Sequence, residues 1–223
     1  EDIINMMKPY TLAYTQKEAE FQVETTETVL EVQMQPDLYE LIQKLKKDLV
    51  LEGEFDEILG DTPVKLMIKL HQMFSGTVKF ESGKSMILDL SKADFIYDRF
   101  NGKKIGIFYK FKEELNALKE VYGDTLCTDL DEFNDTDKTI ALQIVSGREG
   151  ISLEKAEALV YYNIDFSATS YWQSRDRMTT KTRLLNDIYW IFSKGGIEKR
   201  IYQAVTKKKD YTLYHFKKDL LSL

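Results

Sequence analysis

Residues Lys138 to Arg177 read KTIALQIVSGREGISLEKAEALVYYNIDFSATSYWQSRDR. The order is an apolar strand, a glycine-bearing loop, a short helix, a second apolar strand, and a helix carrying Gln173, Arg175 and Arg177. That is one parallel βαβ unit with a polar cluster after the carboxyl end of each strand. In open α/β sheets ligands bind in that position. Gly147 and Gly150 in the loop let backbone amides approach a phosphate closely. A planar guanidinium on the next helix completes such an anion site with a fork of donors. Spacing alone therefore predicts a phosphate-handling α/β domain.

The same alternation extends to both sides. KKIGIFY (103–109) reads as a buried strand, and FKEELNALKEVYG (111–123) as a helix with Leu115, Leu118 and Val121 inward. TLCTD (125–129) is a short strand and DLDEFND (129–135) a connector helix or turn. DIYWIFS (187–193) is a further strand, and GGIEKRIYQAVTKKK (195–209) a closing helix. Strands separated by helices of this length imply a mostly parallel sheet with helices on both faces.

The N-terminal part reads differently. TETVLEVQMQP (26–36) alternates at Val29, Val32 and Met34 as a half-buried strand does. PDLYELIQKLKKDLVLEG (36–53) predicts a helix with Pro36 in its first turn, the stripe Leu38, Leu41, Ile42, Leu45 and Leu49, and Gly53 as its stop. TPVKLMIKLHQMFSG (62–76) predicts another, capped by Thr62 with Pro63 next. His71 on it reads as surface or helix-face filler rather than a ligand. In FESGKSMILDLSKADFIYDRF (80–100) the Gly83-Lys84-Ser85 run is not a P-loop, because Val78 stands where that pattern needs its first glycine. Ser82 reads instead as the cap of a helix running to Phe100.

Composition sets bounds. The chain has 223 residues, 43% hydrophobic and 30% charged, which suits a globular protein with a sizeable core. No apolar run approaches the roughly 20 residues needed to span a bilayer, so no membrane partner is expected. One cysteine, Cys127, rules out a disulfide framework and fits a reducing cytoplasm. His71 and His215 lie far apart, and no Cys/His zinc cluster can be drawn; no metal site is expected. The net charge of −6 hides a split: residues 171–223 carry 12 Lys+Arg against 5 Asp+Glu, a net of +7, leaving 19 − 32 = −13 for residues 1–170. A basic final quarter can meet phosphates, and it is equally a solvated helix end.

SGREGISL, the strand that follows and QSRDR resemble motifs V and VI of superfamily-2 helicases, and most nearly those of the Swi/Snf-type group. KIGIFYKFKEEL (104–115) resembles motif IV. KLMIKLHQMFSG and YWIFSKGGIEKRIYQAVTKKK (189–209) resemble further family segments, and MMKPYTLAYTQKEA (6–19) resembles the linker after the first motor lobe, with Tyr14 in place of an arginine. The resemblance implies a RecA-like second helicase lobe at 101–223, preceded by an inter-lobe linker with a strand at 1–35 and a helical segment at 36–100. It implies the C-terminal half of a DNA-dependent ATPase or translocase. ATP and Mg²⁺ would be held mainly by an N-terminal RecA-like lobe of the same protein, and the DNA would be double-stranded. Nucleic-acid contacts fall on Lys110, Lys112, Gln143, Ser146 and Gly147, nucleotide contacts on Gly150, Gln173 and Arg177, and the arginine finger on Arg177 with Arg175. Thr180 stands where the family has its second arginine, and Arg148 where it has a second loop glycine. That departure keeps open a degenerate lobe that binds nucleic acid or regulates without catalysis. The compact form, without the insertions of chromatin remodellers, suggests a bacterial or phage origin.

Overall fold

The computed structural model describes residues 24–53, 56–144, 153–175 and 185–223, with the backbone alone at Glu24, Arg175, Leu185 and Asn186. In chain order the strands are β1 (Glu24–Val32), β2 (Val50–Glu52), β3 (Glu57–Leu59), β4 (Thr77–Lys79), β5 (Ser85–Ile87), β6 (Ile105–Tyr109), β7 (Leu126–Cys127), β8 (Thr139–Gln143), β9 (Ala158–Tyr161) and β10 (Leu185–Ser193). The α-helices are α1 (Pro36–Asp48), α2 (Pro63–Phe74), α3 (Ser91–Arg99), α4 (Lys112–Tyr122), α5 (Leu130–Asp135), α6 (Ala168–Arg175), α7 (Glu198–Val205) and α8 (Leu213–Asp219). Six strands form one sheet in the order β1-β10-β9-β6-β8-β7, every neighbouring pair parallel. This is the mostly parallel, helix-covered sheet that the alternation of elements predicts.

The pleat sends alternate residues to opposite faces. On one face Phe108, Tyr161 and Trp190 stand in register on three adjacent strands. Their rings stack at 4.9 Å and 4.2 Å between centroids. Helix α6 closes over this row through Tyr171, whose ring lies 5.4 Å from Trp190, and α7 through Tyr202. The other face, with Ile107, Val160 and Ile191, is covered by α3 and α4. A Cβ at Gly106 in β6 would lie 2.7 Å from a methyl of Leu153, so any larger residue there would require that buried side chain to shift.

Several boundaries differ from the sequence expectation. Helix α1 stops at Asp48, not Gly53: Leu49 takes a left-handed φ of 61° and its N–H closes on Leu45 O. Residues 50–52 then leave the helix to pair with 57–59, so Leu41 and Leu49 of the expected stripe are exposed. Helix α2 matches the reading at both ends, with Thr62 accepting the Lys65 N–H and Pro63 opening the first turn. The expected helix from Ser82 is a hairpin, β4 against β5, with Thr77 opposite Ile87. Gly83 at φ 90° makes its turn, and the helix begins only at Ser91. A left-handed glycine between two short runs that pair is a hairpin signal, and here it outweighs helix propensity. From Leu153 on, the stretch expected as a short helix before β9 is a turn, closed by Ala156 N to Leu153 O at 3.0 Å. Among the described residues no helix is long and apolar enough to cross a membrane.

Candidate functional site

The chain leaves β6 for β7 and β8 on one side of the sheet, then crosses to β9 and β10 on the other. The strand order therefore reverses between β8 and β9, on either side of β6. The carboxyl ends of these three strands bound a crevice of the kind in which α/β sheets hold ligands.

Two of the nominated residues meet there. Lys110, just past β6, pairs with Asp165, past β9, at 2.9 Å, both partly exposed. Burial works to raise the Asp165 carboxyl, and the charge and hydrogen bond of Lys110 outweigh it, holding it below the usual carboxylate range. Gln143, at the end of β8, donates from Nε2 to Lys110 O at 3.3 Å. Lys112 is exposed in the first turn of α4, and Gln173 is exposed on α6, whose last residue is Arg175. Ser146, Gly147, Gly150 and Arg177 lie outside the described residues, as does the side chain of Arg175.

Beneath the Lys110–Asp165 pair runs a buried polar chain. Glu114 Oε2 accepts the N–H of Lys110 at 2.7 Å and of Phe111 at 3.1 Å, fixing the turn after β6. Its other oxygen accepts from Asn163 Nδ2 at 2.6 Å. Asn163 Oδ1 accepts the Ile164 N–H at 2.8 Å and lies 2.7 Å from His71 Nε2. With Asn163 offering oxygen, His71 carries its proton on Nε2. Nδ1 is then an acceptor, buried and without a hydrogen-bond partner among the described residues. The ring packs against Phe111 and Phe166 with centroids 5.3 Å and 4.6 Å away. Burial, then the charge of Lys110, lowers the imidazole to a pKa of about 3 against the pull of the Asn163 hydrogen bond. Burial likewise raises the Glu114 carboxyl, with the hydrogen bond from Asn163 opposing. His71 is therefore an uncharged interior strut tying α2 to the loop after β9, and not the filler its sequence context suggested.

A second buried cluster flanks the first. Lys92 Nζ of α3 donates to Glu198 Oε1 of α7 at 2.7 Å and to Tyr162 O at 3.1 Å, all fully buried. Ser193 N reaches the same Glu198 oxygen at 3.3 Å. Among the described residues, Glu198 Oε2 and the Tyr162 hydroxyl have no hydrogen-bond partner.

Of the residues in these clusters the sequence reading nominates Lys110 and Gln143, while Glu114, Asn163, Asp165, Lys92 and Glu198 emerge only from the structure. One signal was legible: Glu114 is the third residue of α4, where a carboxylate folds back on the preceding backbone N–H groups. Asn163 inside YYNID, buried in an apolar run, was the other.

The arrangement defines a RecA-like α/β domain with its crevice at the strand reversal. No family model matches the chain, and no curated protein sequence matches it. Among solved structures it is similar to the Sulfolobus solfataricus SWI2/SNF2 ATPase core domain, at 15% identity and TM-score 0.55, over 93% of this chain and 48% of that one. It is similar also to the Sulfolobus solfataricus SWI2/SNF2 ATPase core in complex with dsDNA, at 14% identity and TM-score 0.52, over 99% of this chain and 52% of that one. The C-terminal part of the Fun30 ATPase domain matches 57% of this chain at 21% identity, with TM-score 0.43. The chain thus spans about half the length of the two core structures, and it shares their fold.

Proposed function

We propose that this chain is the second RecA-like lobe of a Swi/Snf-type, double-stranded-DNA-dependent ATPase. It works against a first lobe that holds ATP and Mg²⁺. The observation that carries the reading is the meeting of Lys110 and Gln143 at the ends of adjacent strands, in the crevice where such folds take ligands. The ordered motif resemblance around it and the fold likeness over nearly the whole chain support it. In this reading Lys110, Lys112, Gln143, Ser146 and Gly147 face the nucleic-acid backbone. Gly150 and Gln173 face the nucleotide. Arg177, with Arg175, reaches the γ-phosphate from across the cleft, where a guanidinium offsets charge building on the transferring phosphoryl group.

The described part of the crevice suits an anion at one corner only. Lys110 brings positive charge, and Asp165 neutralises part of it. Among the described residues no three His, Cys, Asp or Glu side chains converge to hold a metal ion. When bound, Mg²⁺ would supply positive charge that offsets the charge of the phosphates.

The test is DNA-stimulated ATP turnover by the protein that joins this chain to its first lobe. Arg177→Ala is expected to lower turnover by about a thousandfold or more, the scale of an arginine finger, with duplex affinity unchanged. Turnover that survives the substitution would place the finger elsewhere. Loss of neither turnover nor affinity on changing both Arg175 and Arg177 would favour the regulatory lobe that Thr180 keeps open. Residues 1–223 alone are expected not to hydrolyse ATP.

A further inference from the structure

Helix α7 ends in a turn of three consecutive lysines, Lys207, Lys208 and Lys209, all exposed. The turn is firmly held. The N–H groups of Lys207 and Lys209 close on Ala204 O at 3.0 and 3.2 Å, and that of Lys208 on Val205 O at 3.0 Å. Lys208 takes a left-handed φ of 59°, a conformation that costs a non-glycine residue about 1 kcal/mol. Trp172 of α6 donates from Nε1 to Val205 O at 3.1 Å, and Lys208 Nζ lies 5.6 Å above its ring. Asp210, next in the chain, is engaged with the first N–H of α6 at Ala168, 2.8 Å away. Tyr211 N then bonds Phe166 O at 2.8 Å, and Phe166 is the ring that packs on His71 and lies 5.8 Å from Lys110 Nζ.

The segment 207–211 therefore hooks α7 to α6 and runs directly to the rim of the crevice. None of the three lysines forms an ion pair among the described residues. The dipole of α7 favours a cation or two at its carboxyl end. It gives no reason for three to be fixed side by side, beside a helix that carries Gln173, with their neighbouring acid turned away. Adjacent like charges held in one geometry repel unless an external anion lies across them.

We propose that Lys207, Lys208 and Lys209 form a docking surface for the phosphate backbone of duplex nucleic acid, continuous with the crevice at Lys110. This rests on the nucleic-acid reading above and extends it to residues that the motif resemblance does not assign. Three adjacent exposed lysines on a hydrogen-bonded turn, beside a strand-end site, suit a regularly spaced polyanion read without sequence preference.

The experiment is binding of a fluorescent DNA duplex to the full protein, by anisotropy, across a salt series. Changing all three lysines to Gln is expected to lower the log–log salt slope by about 2 to 3, since each phosphate contact contributes about 0.9. Changing all three to Arg is expected to retain the slope. Lys103→Gln, just before the amino end of β6 and so away from the carboxyl ends that bound the crevice, leaves it unchanged. Independently, acetylation of lysines on the unaltered protein is expected to slow at 207–209 when duplex is present. A triple Gln protein with the unaltered slope, or equal acetylation with and without duplex, overturns the docking surface and leaves the crevice reading standing. No salt-dependent duplex binding by the unaltered protein overturns both.

Discussion

His71 shows how much one side chain can say about pH. In the folded protein its pKa is about 3, from burial first and the charge of Lys110 second, against 6.5 when exposed. A depressed value means that the unfolded chain takes up a proton the folded one refuses. The stability His71 allows is thus whole above pH 6.5 and drains away as pH falls toward 3. The loss is about 1.4 kcal/mol for each pH unit within that window. Glu114, two hydrogen bonds along, works the other way: its value is raised, so the stability it allows is whole below pH 4.5 and lost as pH rises through its folded value. The clean measurement is therefore a difference. Urea unfolding of the protein and of His71→Gln between pH 7.5 and 5 is expected to show the gap between them narrowing as pH falls below 6.5. A gap independent of pH would mean that the imidazole takes up its proton as readily in the folded state as in the unfolded one. Lys110, Lys92 and Asp165 also act on this ring, so salt should alter the size of the effect but not its sign.

At the scale of elements, what was legible depended on whether local signals stood alone. Helix α2 was readable to the residue because Thr62 and Pro63 supply cap and first turn together. The β4–β5 hairpin was not, because the SGKS turn carries residues that also suit a helix start, and only the pairing of Thr77 with Ile87 decides between them. The placement of the candidate-site residues was legible only in part, for a related reason. Lys110 and Gln143 follow strand ends, which periodicity locates. Asn163, Glu114 and His71 come from three separate elements, and nothing local says that they meet. Lys92 and Glu198 are the extreme case, 106 residues apart and fully buried. Breaking such a pair on one side strands a charge, so Lys92→Met is expected to cost roughly 3–5 kcal/mol. The double change Lys92→Met with Glu198→Leu should recover much of that loss, since both charges are then gone. A double variant as unstable as the single one would show that the Ser193 N–H held by Glu198, and not the charge, dominates.

Across the whole molecule, the buried apolar residues from Val32 to Phe216 form one contiguous core. Polar bonds reinforce it: His71 to Asn163, Lys92 to Glu198, and the Ser193 hydroxyl to Phe74 O each join residues before 100 to residues after it. The outermost strand has a consequence for anyone handling a shortened form. Strand β1 zips to β10 in register along nine residues, Glu24 to Val32 against Leu185 to Ser193, and Glu27 accepts from the Trp190 indole at 3.1 Å. Trimming the protein to start at Gln33 would strip that margin and bare a ladder of unmet amides on β10, an invitation to stick to its own kind. Size-exclusion chromatography should find the trimmed form self-associated, and a synthetic peptide of residues 24–32 should return it to single molecules by slotting into the vacated groove.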